Sequence, residues 1–345
     1  MCGFTLGVDL SPINLLPGLP QSQNPTGTSL ITLMEEDHIR LIRLVGDAPG
    51  PVPVLMGMLH SGGWKTIFTE LDSARIGVVL NLGGETAPNG TFDGDWSADP
   101  LQVPSSQAPE PTAQWISNEA GIIEDIKSQC DGVPPSLVAV EMANEPLLNP
   151  TTLPMIGQAL AAIRSELPGI AVTVGGWRAP AIKAGTFWDY NDPADTGEIA
   201  PLVDYVSAHL YPDEVASLPD GEARNSTDPS KYLSASSGFI QRVIGAAGGK
   251  PIMIGEFGAP DGRPETVPLQ PSGGSMAHQT AVIQAVIQTM LQESGQGVTG
   301  GTVWSLEQNA GGGYPCTPFQ LICFGMTATP ALQSLATAAA ADNRS

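Results

Sequence analysis

Eight short apolar runs punctuate this chain, at residues 4–9, 39–45, 76–82, 137–143, 170–174, 205–210, 251–256 and 300–305. Each has the length of a strand, and segments with helical spacing separate several of them. The clearest helices cover 112–128, 153–167, 232–247 and 276–293. In the last, Val282, Val286, Ile287 and Met290 repeat at the three-and-four spacing of one buried face. A closing helix over 330–341 would cover the remaining side. Eight such βα units close into a barrel, whereas six would leave an open sheet. The expectation is therefore an α/β fold: a single (β/α)8 barrel spanning residues 1–345, a length that suits this architecture with extended loops.

The second unit is the least regular. Residues 51–74 must supply a helix, yet Ser61-Gly62-Gly63 interrupts them, so two pieces are expected. Long Gly/Pro-rich stretches follow most strands, at 83–111, 177–200, 212–231, 259–274 and 308–319. Loops of that length in a compact domain are generally functional. In a parallel barrel they all rise from the carboxyl ends of the strands and wall a cleft.

With 35 acidic against 14 basic residues the net charge is −21. Such a field repels nucleic acid and anionic membranes, so neither is expected as a partner, while a neutral substrate is indifferent to it. No run approaches the roughly 18 apolar residues that span a bilayer. The opening MCGFTLGVDLSP lacks the basic start and long apolar stretch of an export leader. The expectation is a secreted chain whose leader has been removed, with a cytoplasmic location as the alternative, and a monomer. Cys2, Cys130, Cys316 and Cys323 form no Cys-x-x-Cys pair and have no neighbouring His, which argues against zinc. Cys316 and Cys323 bracket six residues and could form a disulfide; isolated buried thiols are the other reading. Asn89 and Asn225 stand in glycosylation sequons, a pattern short enough to arise by chance.

Two glutamates carry the chemistry. Glu145 ends the run SLVAVEMANEP and Glu256 ends KPIMIGEFGAP, so each apolar strand delivers a carboxylate into a loop. Unpaired carboxylates are costly beside a core, and two of them at one end of a barrel suit glycosidic bond cleavage. Glu145, at an apolar strand end near a second carboxylate, is placed to keep a proton as general acid. Glu256, flanked by Gly255 and Phe257-Gly258, is placed as nucleophile. Asn144 could bond a sugar hydroxyl beside the cleaved bond. In the sixth run the two-residue repeat puts His209 and Tyr211 on one side, His209 to bind sugar or the acid and Tyr211 to orient the nucleophile. Arg43, inside an apolar strand, needs a partner that a catalytic carboxylate would supply; Arg40 lies nearer the strand start. Trp304, at the end of the eighth run, could offer a flat face to a sugar ring, as could Trp64, Trp96, Trp177 and Trp188, for which core packing is an equal reading. Neither His-x-His nor His-Glu-x-x-His occurs, so no metal and no cofactor are expected.

The motifs VEMANEP, AHLYP, IGEFGAP and GGTVWSL, in this order on the fourth, sixth, seventh and eighth runs, resemble clan A of the glycoside hydrolases, the TIM-barrel enzymes that cleave with retention. IGEFGAP is most similar to family 5, the cellulase and mannanase group, and VEMANEP also resembles family 39. Where family 5 usually carries a His after its third strand, this chain reads Val-Leu-Asn81-Leu-Gly83-Gly84. The resemblance implies acid/base Glu145, nucleophile Glu256, supporting Arg43, Asn144, His209 and Tyr211, and a Trp304 platform. It also implies a β-linked polysaccharide or oligosaccharide as substrate, β-glucan, cellulose or mannan foremost. Two other readings share these residues: a sugar-binding barrel without catalysis, and a transglycosylase in which sugar replaces water as acceptor. No glycine-rich phosphate loop follows the seventh or eighth run, which argues against a phosphate-handling barrel.

Overall fold

The computed structural model describes residues 4–16, 29–45, 57–82, 113–146 with 148 and 150, 152–177, 193–212, 226–259, 275–307, 321 and 330–342. All eight expected strands form. They are β1 (Thr5–Leu10), β2 (Leu41–Leu44), β3 (Gly77–Asn81), β4 (Leu137–Asn144), β5 (Ala171–Gly175), β6 (Val206–Leu210), β7 (Ile252–Phe257) and β8 (Val298–Glu307). Each lies parallel to its sequence neighbours, and β1 pairs with β8 to close the barrel in chain order. Strands buried on both faces read as unbroken apolar runs, which is why the sequence exposed them so clearly.

The outer helices Ala113–Gln129, Thr152–Glu166, Ser230–Ala246, Met276–Glu293 and Pro330–Asp342 fall within two residues of the expected bounds. The second unit does come in two pieces: a wide turn at Leu59–Gly63, then a helix at Trp64–Ala74, with non-helical backbone at Ser61 and Gly62. Its expected beginning, residues 51–56, lies outside the described residues. Among the described residues two α-helices were not anticipated. Leu30–Glu36, between β1 and β2, starts at Ser29, whose Oγ accepts the Thr32 N–H at 3.1 Å. Thr196–Ile199 falls in a segment read as loop, and one turn is too short to show a helical period.

Two of the candidate sugar platforms belong to the core instead. Trp64 sits on a helix, 3% exposed, with its ring centroid 6.2 Å from that of Phe68. Trp177, just past β5, is fully buried. Trp96, Trp188, the sequon asparagines Asn89 and Asn225, and Cys2, Cys316 and Cys323 lie outside the described residues. Cys130 is a free, half-buried thiol. Among the described residues no helix is long and apolar enough to cross a membrane.

The interior of the barrel changes character along its axis. Leu41, Val79, Ala139, Tyr205 and Met253 form a small apolar cluster separate from the main core. These five come from β2, β3, β4, the entry to β6, and β7, so they plug the barrel from inside. Side chains alternate along a strand, so the next inward position is two residues on. Those positions are Arg43, Asn81, Glu141, Ser207 and Gly255. One step of the two-residue repeat turns an apolar plug into a polar layer.

Candidate active site

Arg43 is the hub of that layer. Its side chain is fully buried and donates from three nitrogens: Nε to Glu141 Oε2 at 2.6 Å, Nη1 to Glu256 Oε1 at 2.6 Å and to Asp9 Oδ2 at 3.2 Å, and Nη2 to Asn144 Oδ1 at 2.6 Å. Glu141 is held further by Asn81 Nδ2 at 2.8 Å on the same oxygen, and by Ser207 Oγ at 2.7 Å on the other. Glu141 and Asn144 are three residues apart, and strict alternation would send them to opposite faces. The β4–β5 register shifts between them, so both reach the same guanidinium. Register shifts also interrupt β1–β8 pairing beside Asp9, β6–β7 between Ala208 and His209, and β7–β8 around Glu256.

Three carboxyl groups share one buried cation, and their environments divide them. Burial is the dominant influence on Asp9 and, with the negative charges of Glu256 and Glu141, raises its carboxyl well above the usual range despite Arg43. Burial also disfavours the Glu141 charge, but Arg43, Asn81, His209 and Ser207 together outweigh it and hold this carboxyl below its usual value. Arg43 loses by burial and gains more from the three carboxyls, so it stays firmly charged. Burial thus works against the charge of Asp9, while its partners favour the charge of Glu141.

Space for this network comes from missing side chains. A Cβ on Gly175 would collide with Glu141 Oε2 and approach Arg43 Nη2 and Asn81 Nδ2 to 2.6 Å each. A Cβ on Gly255 would strike Ser207 Oγ. Gly175→Ala should therefore cost about 1–3 kcal/mol, the range for overpacking a tight interior. Denaturant unfolding checks this, and an unchanged midpoint would contradict so close a fit.

Above this layer the strand-end residues meet. Glu145 is 9% exposed and has φ 48, left-handed backbone that a non-glycine residue rarely adopts, least of all before a proline. Its N–H donates to Gly175 O at 2.7 Å, which fixes the turn. Strain of this kind, about 1–3 kcal/mol, collects at functional sites. It brings Glu145 Oε1 to 2.7 Å from His209 Nδ1, which lies 3.3 Å from Glu256 Oε2. Tyr211 donates its hydroxyl to that same Glu256 oxygen at 2.8 Å. Donor atoms of Glu145, His209 and Glu256 all lie within 4.8 Å of one another. A cation could meet that proximity condition; Arg43 already supplies the positive charge at Glu256, and 2.7 Å between His209 and Glu145 is a direct hydrogen bond.

Arg43, Asn144, Glu145, His209, Tyr211 and Glu256, all expected from sequence, thus converge at one mouth of the barrel. Arg40 points elsewhere, donating to Ala74 O at 2.8 Å. Trp304 is half-buried near the end of β8. Asp9, Asn81, Glu141 and Ser207 belong to the network and were not anticipated.

Solved glycoside hydrolases share this barrel. A family 5 mannosidase from Rhizomucor miehei superposes with a TM-score of 0.61 over 99% of this chain and 94% of its own, at 14% identity. An endo-1,4-beta-mannanase from Rhizomucor miehei gives 0.63 over 99% and 96%, at 15% identity. An endo-beta-1,4-mannanase from Thermotoga petrophila gives 0.60 over 99% and 77%, also at 15%. At these identities the likeness is one of fold. No protein-family model and no curated protein sequence matches the chain.

Proposed function

We propose that this chain is a retaining β-glycosidase acting on a polysaccharide, β-mannan first and β-glucan or cellulose second. The observation that carries the reading is the approach of Glu145 and Glu256 oxygens to within 4.8 Å. Retaining enzymes hold their carboxyl groups about 5–5.5 Å apart, whereas inversion needs about 6.5 Å or more to admit a water. The solved mannosidase and mannanases that share the barrel along nearly the whole chain support mannan as the leading substrate.

In this reading Glu145 protonates the departing glycosidic oxygen while a Glu256 oxygen attacks the anomeric carbon. The carbon–oxygen bond breaks, the leaving sugar departs with the proton, and a glycosyl ester forms on Glu256. Glu145, now a carboxylate, takes a proton from water; the water oxygen attacks the same carbon and frees Glu256. Tyr211 and Arg43 hold one nucleophile oxygen each, and His209 bridges both glutamates. The cycle needs no cofactor. A polysaccharide is too large to cross a membrane unaided, so this reading places the enzyme outside the cell.

Proton NMR during hydrolysis of mannan, cellulose, xylan or laminarin tests it. The first product should carry the β-configuration of the substrate; an α-product would overturn retention. Glu145→Ala should slow polysaccharide cleavage by about 10²–10⁴-fold, the usual worth of general acid catalysis. Formation of the glycosyl-enzyme from dinitrophenyl glycosides, whose leaving group needs no proton, should fall far less. Equal losses on both substrates would remove Glu145 from the acid role.

A further inference from the structure

We infer that Glu141 is a positioning residue for the reaction: by holding the Nε edge of Arg43 it limits how much of the guanidinium charge falls on Glu256, and so keeps Glu256 a competent nucleophile. The inference rests on the reading of Glu256 as the attacking group.

Arg43 makes two equally short ion pairs, 2.6 Å to Glu141 and 2.6 Å to Glu256, and a looser contact of 3.2 Å to Asp9. A guanidinium facing Glu256 alone in a dry site would stabilise its anion strongly; an adjacent Arg lowers a carboxyl pKa by about 1–3 units. An over-stabilised carboxylate is a poor nucleophile. With Glu141 ionised on the opposite edge, Glu256 instead faces a nearly neutral Arg–Glu pair. The contacts are distributed to make Glu141 that partner: Asn81 and Ser207 both donate to it and Arg43 sits 2.6 Å away, while Asp9 has only the looser 3.2 Å contact with Arg43 and has burial against its charge.

Charged and titratable groups face Glu141 from most of the barrel. They are Asp9 on β1, Arg43 on β2, Glu145 at the end of β4, Tyr205 and His209 along β6, and Glu256 on β7. The inward residues of β3, β5 and β8, namely Asn81, Gly175 and Thr302, carry no charge. Among the described residues, Arg43 is the hydrogen-bonding link common to Glu141 and Glu256.

Glu141→Gln tests this with shape preserved. Its amide oxygen can accept from Arg43 and Asn81, and its amide nitrogen can donate to Ser207 Oγ. On a nitrophenyl β-glycoside that the wild type cleaves, the acid limb of kcat/KM should move down by about 1 pH unit, because the guanidinium charge then falls undivided on the nucleophile. Turnover should fall about tenfold at neutral pH with KM little changed, whereas Glu141→Asp, which keeps the charge, should leave the limb in place. A folded Glu141→Gln with an unmoved or upward-moving limb overturns the inference, as does an equal shift in both variants. Should Glu141→Gln fail to fold, Ser207→Ala and Asn81→Ala, each stripping one donor from this carboxyl, must move the limb the same way; limbs that stay overturn it equally. Wild-type turnover in Glu256→Ala would instead sink the underlying reading, so the two failures are distinguishable.

Discussion

Arg43→Met is expected to destabilise the fold by about 3–5 kcal/mol at neutral pH, the range for removing one partner from a buried ion pair. The guanidinium is the only cation hydrogen-bonded to Asp9, Glu141 and Glu256 among the described residues. The loss should depend on pH, with a sign that follows from Glu141. In the wild type its lowered pKa contributes stability above the ordinary carboxyl value of about 4.3, lost as pH falls through the folded value. Without Arg43 burial dominates and the folded state binds protons more tightly than the unfolded one. Stability of the variant then declines as pH rises above about 4. Denaturant titrations from acid to neutral pH should show the gap to wild type widening steadily. A constant gap would mean that Arg43 acts through packing alone. Lys at this position cannot replace four directed N–H contacts and should recover little.

Glu256→Ala should reduce turnover by about 10⁴-fold or more, since among the described residues no other carboxyl stands where an attacking oxygen is needed. The fold should survive, because Arg43 and Glu141 remain as a balanced pair. A melting temperature near that of wild type together with lost hydrolysis is the expected outcome. Unchanged hydrolysis would remove Glu256 from the nucleophile role. Collapse of the fold would show instead that its charge is structural.

The barrel was legible because each strand is buried on both faces, and the helices because their apolar faces repeat over three or more turns. What escaped were short elements: Thr196–Ile199 spans a single turn, and Leu30–Glu36 is announced only by its Ser29 cap. Within the site, the residues at strand ends were found because a carboxylate, His or Arg interrupts an apolar run just before a loop. Glu141 stands in the same motif as Glu145 but four residues deeper in the strand, away from the loop that marks a strand-end site. Counting by twos from Ala139 finds it, and counting from Leu41 finds Arg43. The same count also finds Asn81 and Ser207 from Val79 and Tyr205. The conjunction of Glu141 with Asn144 was beyond such counting, because it depends on an irregularity in strand pairing that no spacing rule reveals. For Trp64 and Trp177 the sequence allowed core packing and a sugar platform equally, and their burial decides for the core.

The polar layer also ties the ends of the chain to its middle. Arg43 bonds Glu141 across 98 residues and Glu256 across 213, while Asp9 on β1 completes the circuit. No stretch of sequence short of β7 can therefore complete this set of contacts, and until the seventh strand docks Nη1 of the guanidinium has only the looser 3.2 Å contact with Asp9 from this set. The glutamates of β4 and β7 therefore meet only when most of the barrel is in place, so assembly of the polar layer waits on strands far apart in the chain.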